Sequence, residues 1–221
     1  MLTEQQKMIR DVARSIAKDQ IEPRAQEIDR TGEFPWDLVK IMAENGLMGV
    51  HVPEAYGGAG SDMVSHVLVV EEIASACAST SVILTTQALA IAPFLIAGTE
   101  EQKKKYVTPM AKGEVLGSFG ITEPGAGSDV SSVKTTAVRD GDDYVINGQK
   151  VFITNAGLSE IYVIVARTSE ERTKGVSLFI VEKDTPGLSF GKIEDKMGIR
   201  GSVTREVILD NVRVPKENLI G

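Results

Sequence analysis

The chain has 221 residues, 42% of them hydrophobic and 25% charged, with 21 glycines and 8 prolines, a composition that fits an ordinary globular protein and excludes a disordered or fibrous one. Lysine and arginine number 24 against 31 aspartates and glutamates, for a net charge of −7, so no basic stripe is at hand for a phosphate backbone and nucleic acid is not an expected partner. One cysteine and two histidines are too few for a disulfide framework or a closed zinc site, so no metal is expected.

In chain order, Ile9, Val12, Ala13, Ile16 and Ala17 recur at helical intervals, and Pro23 kinks or interrupts the helix they form. Phe34-Pro35 starts a second helix through Trp36, Leu38, Ile41 and Met42, which Asn45-Gly46 stops, and a glycine-rich loop runs on to Gly60. Ser61 or Asp62 caps a third helix with Val67, Val70, Ala74 and Cys77 on one face, and Val82 to Ile96 forms a fourth, centrally buried helix. Thr99 to Gln102 is a capping box that opens a fifth helix to about Ala111, which Gly113 closes.

Beyond Gly113 the apolar period changes to two and β-branched residues take over, which sets the expected boundary between domains 1–113 and 114–221. Val133 to Arg139 and Tyr144 to Ile153 make a hairpin about Asp140-Gly141. Ile161 to Arg167, Val176 to Glu182, Leu188 to Ile193 and Thr204 to Leu209 follow as strands. The expected fold is α+β, an all-α N-terminal domain followed by an antiparallel β-sandwich or barrel, because the connections are too short for crossover helices.

The polar opening Glu4 to Lys7 is no signal peptide and no uninterrupted apolar run approaches the roughly eighteen residues of a membrane span, so a cytoplasmic, membrane-free protein is expected. Cys77 reads as a buried inert thiol, and His51 and His66 as solvated or structural groups. No dinucleotide fingerprint or phosphate loop is present. The informative stretch is Gly117 to Asp129, where a strand enters a turn of small residues with hydroxyls at Thr122 and Ser128. Such a turn is equally a ligand cradle or a tight connection whose glycines serve turn geometry. Phe152 to Gly157 ends another strand and sets an aromatic face two residues from the Thr154 hydroxyl; taken alone, Phe152 reads as core packing.

These segments, with Tyr56-Gly57-Gly58, Gly98 to Lys103, Asn147 to Lys150, Lys196 to Ser202 and Val214 to Asn218, closely resemble the acyl-CoA dehydrogenase family in order and spacing. The segment Phe190 to Met197 is similar to its short-chain, butyryl-CoA members. The resemblance implies a helical domain, a β-domain and a C-terminal four-helix domain, with FAD between the last two; this chain matches the first two. It implies that Phe119, Ile121 and Thr122, with the turn through Gly127 to Ser128, line the flavin ring with backbone amides toward its pyrimidine edge. Phe152, Ile153 and Thr154 then pack against the ring and hydrogen-bond near its hydride-accepting nitrogen. Tryptophan is the usual residue at 152, and phenylalanine keeps a stacking face without the indole donor. Ser128 resembles a serine that contacts CoA.

The implied reaction, part of fatty-acid β-oxidation, is α,β-dehydrogenation of an acyl-CoA thioester, with electrons passed to an electron-transfer flavoprotein. The family's catalytic carboxylate lies in the C-terminal domain, so no catalytic residue is assigned here, Glu123 is expected to be structural, and the isolated chain is expected to be inactive. A homotetramer or other homo-oligomer, or a partner chain that supplies the helical domain, completes the expected assembly. An oxygen-using acyl-CoA oxidase and a non-catalytic binding module are the alternatives.

Overall fold

Thr3 begins the first helix with a reciprocal cap: its hydroxyl accepts the Gln6 N–H while the Gln6 side chain accepts the Thr3 N–H. The helix, α1 (Glu4–Ile16), continues through a π turn (Ala17–Ile21) and a 3-10 turn (Glu22–Arg24) into α2 (Ala25–Thr31). Pro23, which has no N–H to give, therefore loosens the winding without ending the helical path. α3 (Trp36–Glu44) and α4 (Met63–Ala76) follow, the latter capped by the Asp62 carboxylate on the Ser65 N–H. Its buried residues are Ser65, His66, Val69 and Ile73, whereas Val67 is exposed. The expected face was the wrong one, because α4 is apolar nearly all round and its periodicity singles out no side.

α5 (Ala78–Ala97) is long and apolar enough by mean hydropathy to cross a membrane, although no uninterrupted apolar run in it is. More than half of that stretch is buried inside the protein, as in a core helix. Its Gln87 side chain donates to the carbonyls of Met110 and Val115 at 2.7 and 2.8 Å. The capping box at Thr99 forms, and α6 (Glu100–Gln102), a π turn (Lys103–Val107) and α7 (Thr108–Ala111) continue from it.

The computed structural model describes all 221 residues, which divide into two compact units. The helical one is Met1–Ala88, Lys103–Val115 and Asp195–Ser202; the other, built on a sheet, is Leu89–Gln102, Leu116–Glu194 and Val203–Gly221. In the helical unit Arg200 pairs with Asp29, which fixes the 195–202 excursion there. In the sheet unit the Gln102 amide donates to the carbonyls of Glu217 and Leu219, both at 2.8 Å.

The strands are β1 (Gly117–Gly120), β2 (Thr136–Asp140), β3 (Asp143–Thr154), β4 (Ile161–Arg167), β5 (Val176–Glu182), β6 (Leu188–Ile193), β7 (Thr204–Pro215) and β8 (Leu219–Ile220). They form a single mostly antiparallel sheet in the order β6-β7-β3-β2-β4-β5-β8, with β1 added parallel to β4. Inward residues of β3, β4, β5 and β7, among them Tyr162, Ile164, Phe179 and Val207, build its core. β4 is buried along nearly its whole length, which is why it reads as a continuous apolar run rather than an alternating one.

Candidate functional site

The row between β3 and β4 is filled by two short strands in tandem. β1 takes the first part: it pairs with β4 from Gly117–Ile161 to Gly120–Ile164, and on its other side the segment lies along the end of β3. There the Val151 N–H donates to the Thr122 carbonyl at 2.9 Å and the Ser118 hydroxyl to the Thr154 carbonyl at 2.8 Å. β2 resumes the same row, pairing with β3 and meeting β4 at Arg167. The chain leaves the row at Thr122 and returns at Thr135, and the Thr122 to Asp129 motif is the start of this excursion.

Glu123 closes the break in the row. Its carboxylate, 7% exposed, accepts the N–H groups of Lys134 and Thr135 at 2.7 and 3.0 Å and the Lys150 ammonium at 2.6 Å; Lys150 also donates to the Ile121 carbonyl at 3.2 Å. Burial acts to raise the Glu123 pKa, but the hydrogen bonds from Lys150, Thr135 and Lys134 outweigh it and hold the carboxyl below its ordinary value. Burial lowers the Lys150 pKa, and Glu123 offsets part of that. A carboxylate with three donors is a structural anion and no free base.

The turn itself is pinned at both ends. Glu123 and Ala126 exchange two backbone bonds, at 2.9 and 3.1 Å. Asp129 accepts from the hydroxyls of Ser131 and Ser132 and from Arg172, and these bonds hold its pKa down at about 2 against the opposing effect of burial. Just before the first pin and between the two, the N–H groups of Thr122, Gly127 and Ser128 and the hydroxyls of Thr122 and Ser128 donate to nothing in the chain; the Thr154 hydroxyl nearby is equally unengaged. Neither Gly125 nor Gly127 takes a positive φ, and a Cβ built on either meets nothing within 4 Å. Turn geometry therefore does not require these glycines. Open space over free donors is what a closely approaching ligand needs.

Phe152 adds an aromatic face beside them. A bulge between Lys150 and Ile153 in the β3–β7 pairing puts Phe152 at φ 59°, and its side chain is 67% exposed. The core-packing reading of Phe152 is overturned. A bulky residue held left-handed and facing solvent is strained, by about 1–3 kcal/mol, with no packing in the chain to compensate it. Thr154 is half-buried on the same segment.

The other expected site residues behave differently. Phe119 and Ile121 are half-buried against the cluster of Ala126, Val133 and Val165, whereas Ile153 lies in the main sheet core and can offer a ligand only its backbone. Asn155, which follows Thr154, is fully buried at φ 61°, and neither atom of its carboxamide has a partner. Sequence reasoning missed it, as it missed the Glu123–Lys150 pair: a lysine inside an alternating strand reads as a solvent-facing residue. It also missed that the rings of His51 and His66 meet edge-on, with centroids 4.9 Å apart.

Comparison with known proteins identifies the family. Residues 3–114 match the acyl-CoA dehydrogenase N-terminal domain and residues 118–212 the middle domain. A short-chain-specific acyl-CoA dehydrogenase of Clostridium acetobutylicum is 46% identical over the whole chain, which spans 59% of that protein's length. Butyryl-CoA dehydrogenase from Megasphaera elsdenii superposes with a TM-score of 0.94 at 38% identity, again covering 100% of this chain and 59% of that one. A chain in the solved structure of the electron transferring flavoprotein of Acidaminococcus fermentans reaches a TM-score of 0.97 at 45% identity, with 100% of this chain and 59% of that chain covered. On fold, motif and similarity together, the chain belongs to the acyl-CoA dehydrogenase family and carries its N-terminal and middle domains.

Proposed function

We propose that this chain supplies the flavin-facing part of an FAD-dependent acyl-CoA dehydrogenase that acts on short-chain acyl-CoA thioesters and delivers electrons to an electron-transfer flavoprotein. The observation that carries this reading is the set of unengaged donors at Thr122, Gly127 and Ser128 beside the strained, exposed Phe152. When bound, FAD supplies the acceptor for the β-hydride. Thr122 and the turn amides offer donors to negative charge on a ring edge, Phe152 offers a stacking face, Thr154 a hydroxyl, and Ser128 a second hydroxyl suited to the CoA moiety.

The α-proton of the thioester needs a base, and the carboxylates at this site are already engaged, Glu123 by Lys150 and two amides, Asp129 by two serines and an arginine. The base is therefore assigned to the C-terminal helical domain that the family resemblance implies, whether in the same polypeptide or in a partner chain. By itself the 221-residue chain is expected to show no dehydrogenase turnover.

The test is gentle purification of the native protein that contains this sequence, followed by anaerobic titration with butyryl-CoA. Flavin absorbance that bleaches on addition of substrate supports the reading. A colourless protein that takes up no FAD overturns it.

A further inference from the structure

We propose that Lys150 is a positioning residue that strengthens the Thr122 N–H as a donor to the flavin, acting through the Ile121–Thr122 peptide, with Glu123 as its counterweight. The inference rests on the flavin reading above and goes beyond it. The Lys150 side chain is completely buried, and its ammonium donates to two oxygens, the Ile121 carbonyl at 3.2 Å and the Glu123 carboxylate at 2.6 Å. The Ile121 carbonyl belongs to the same peptide unit as the Thr122 N–H, which has no partner in the chain. A cation on the oxygen of a peptide draws electron density toward that oxygen and makes the N–H across the bond a better donor.

Satisfying the backbone polar groups at the break does not by itself require a lysine here. The two amides at the break, those of Lys134 and Thr135, are already satisfied by Glu123, and a neutral donor would serve the Ile121 carbonyl. Burying an ammonium costs desolvation, so its charge is retained where charge has an effect. Position supports this, because Lys150 lies next to Val151, whose N–H binds the Thr122 carbonyl, and two residues before Phe152 on the same strand. Lys150 thus stands at the junction of both ligand-facing segments. Reduction places negative charge on the flavin, so a stronger Thr122 donor favours the reduced form.

The experiment measures the midpoint potential of the bound flavin, with FAD dissociation constants and thermal melts, in the native protein carrying Lys150→Met, Glu123→Gln, or both. Lys150→Met is expected to lower the potential and weaken binding of reduced relative to oxidised flavin by about threefold or more. Glu123→Gln leaves the cation without its counterweight and is expected to shift the potential the opposite way, with the double variant returning toward the parent value. A merely structural pair would move both single variants in the same direction, or move only the melts, and either result overturns the proposal. So does failure of all three variants to fold, which would make the pair an obligate element of the fold. If the unsubstituted protein holds no flavin, the underlying reading fails and takes this one with it; flavin bound with unmoved potentials sinks this inference alone.

Discussion

The Val151 N–H donates to the Thr122 carbonyl at 2.9 Å, and this bond sets the glycine-bearing turn beside the bulge that exposes Phe152. Two segments that are separate motifs in the sequence become one surface, with free donors on one side and an aromatic ring on the other. The second feature is costly to a protein with nothing bound, because a left-handed phenylalanine facing solvent forgoes stability.

Replacing Gly127 with alanine separates ligand approach from turn geometry. Since its φ is ordinary and a Cβ meets nothing, the apoprotein should be as stable as the parent or gain up to about 1 kcal/mol through the unfolded chain. Affinity for FAD should fall by about tenfold as the methyl occupies the approach. Urea unfolding and flavin fluorescence quenching measure the two effects; a destabilised apoprotein with unchanged affinity would show that the glycine serves the fold.

Phe152→Gly relieves the strain at φ 59° and removes an exposed ring, so the apoprotein should be stabilised by about 1 kcal/mol while FAD binding weakens. Urea titrations with and without FAD would expose the crossover. Stabilisation in both states would remove Phe152 from the site.

Glu123→Ala leaves the Lys150 ammonium buried without its counter-charge, holding only the Ile121 carbonyl, and two amides without an acceptor, and should cost about 3–5 kcal/mol. Glu123→Gln combined with Lys150→Met leaves no lone charge and should cost less than half as much. Denaturant midpoints of the two proteins decide this, and equal losses would mean the charges themselves matter little to stability.

His66 is nearly fully buried, and burial first, then the neighbouring His51, lowers its pKa from 6.5 to about 4. Between those values the unfolded chain holds the proton and the folded chain does not, so stability should fall as pH drops from 6.5 to about 4 and then level off. The full contribution is about 3 kcal/mol, and burial of His51 adds in the same direction. His66→Phe should flatten this part of the profile in unfolding measured at about pH 7 and about pH 5. An unchanged profile would place the pH dependence elsewhere.

Much of the fold is legible residue by residue. The Asp140-Gly141 turn, the Thr99 capping box and the strands at 161–167, 176–182 and 188–193 are local signals, and each forms where its chemistry directs. The α4 face is not legible, because a helix apolar on every side carries no directional pattern. At the site, Thr122, Gly127 and Ser128 announce themselves by hydroxyls and glycines, while Phe152 is ambiguous until its bulge is seen.

By itself the sequence determined the family, the order of helices and strands, and which turn was the candidate cradle, because these depend on residue type and short-range spacing. Only the tertiary structure decided that β1 and β2 share one row, that Lys150 and Glu123 join across its break, and that Phe152 turns outward. Those facts depend on strand register and on which buried charges meet, and both are set by packing between segments far apart in the chain.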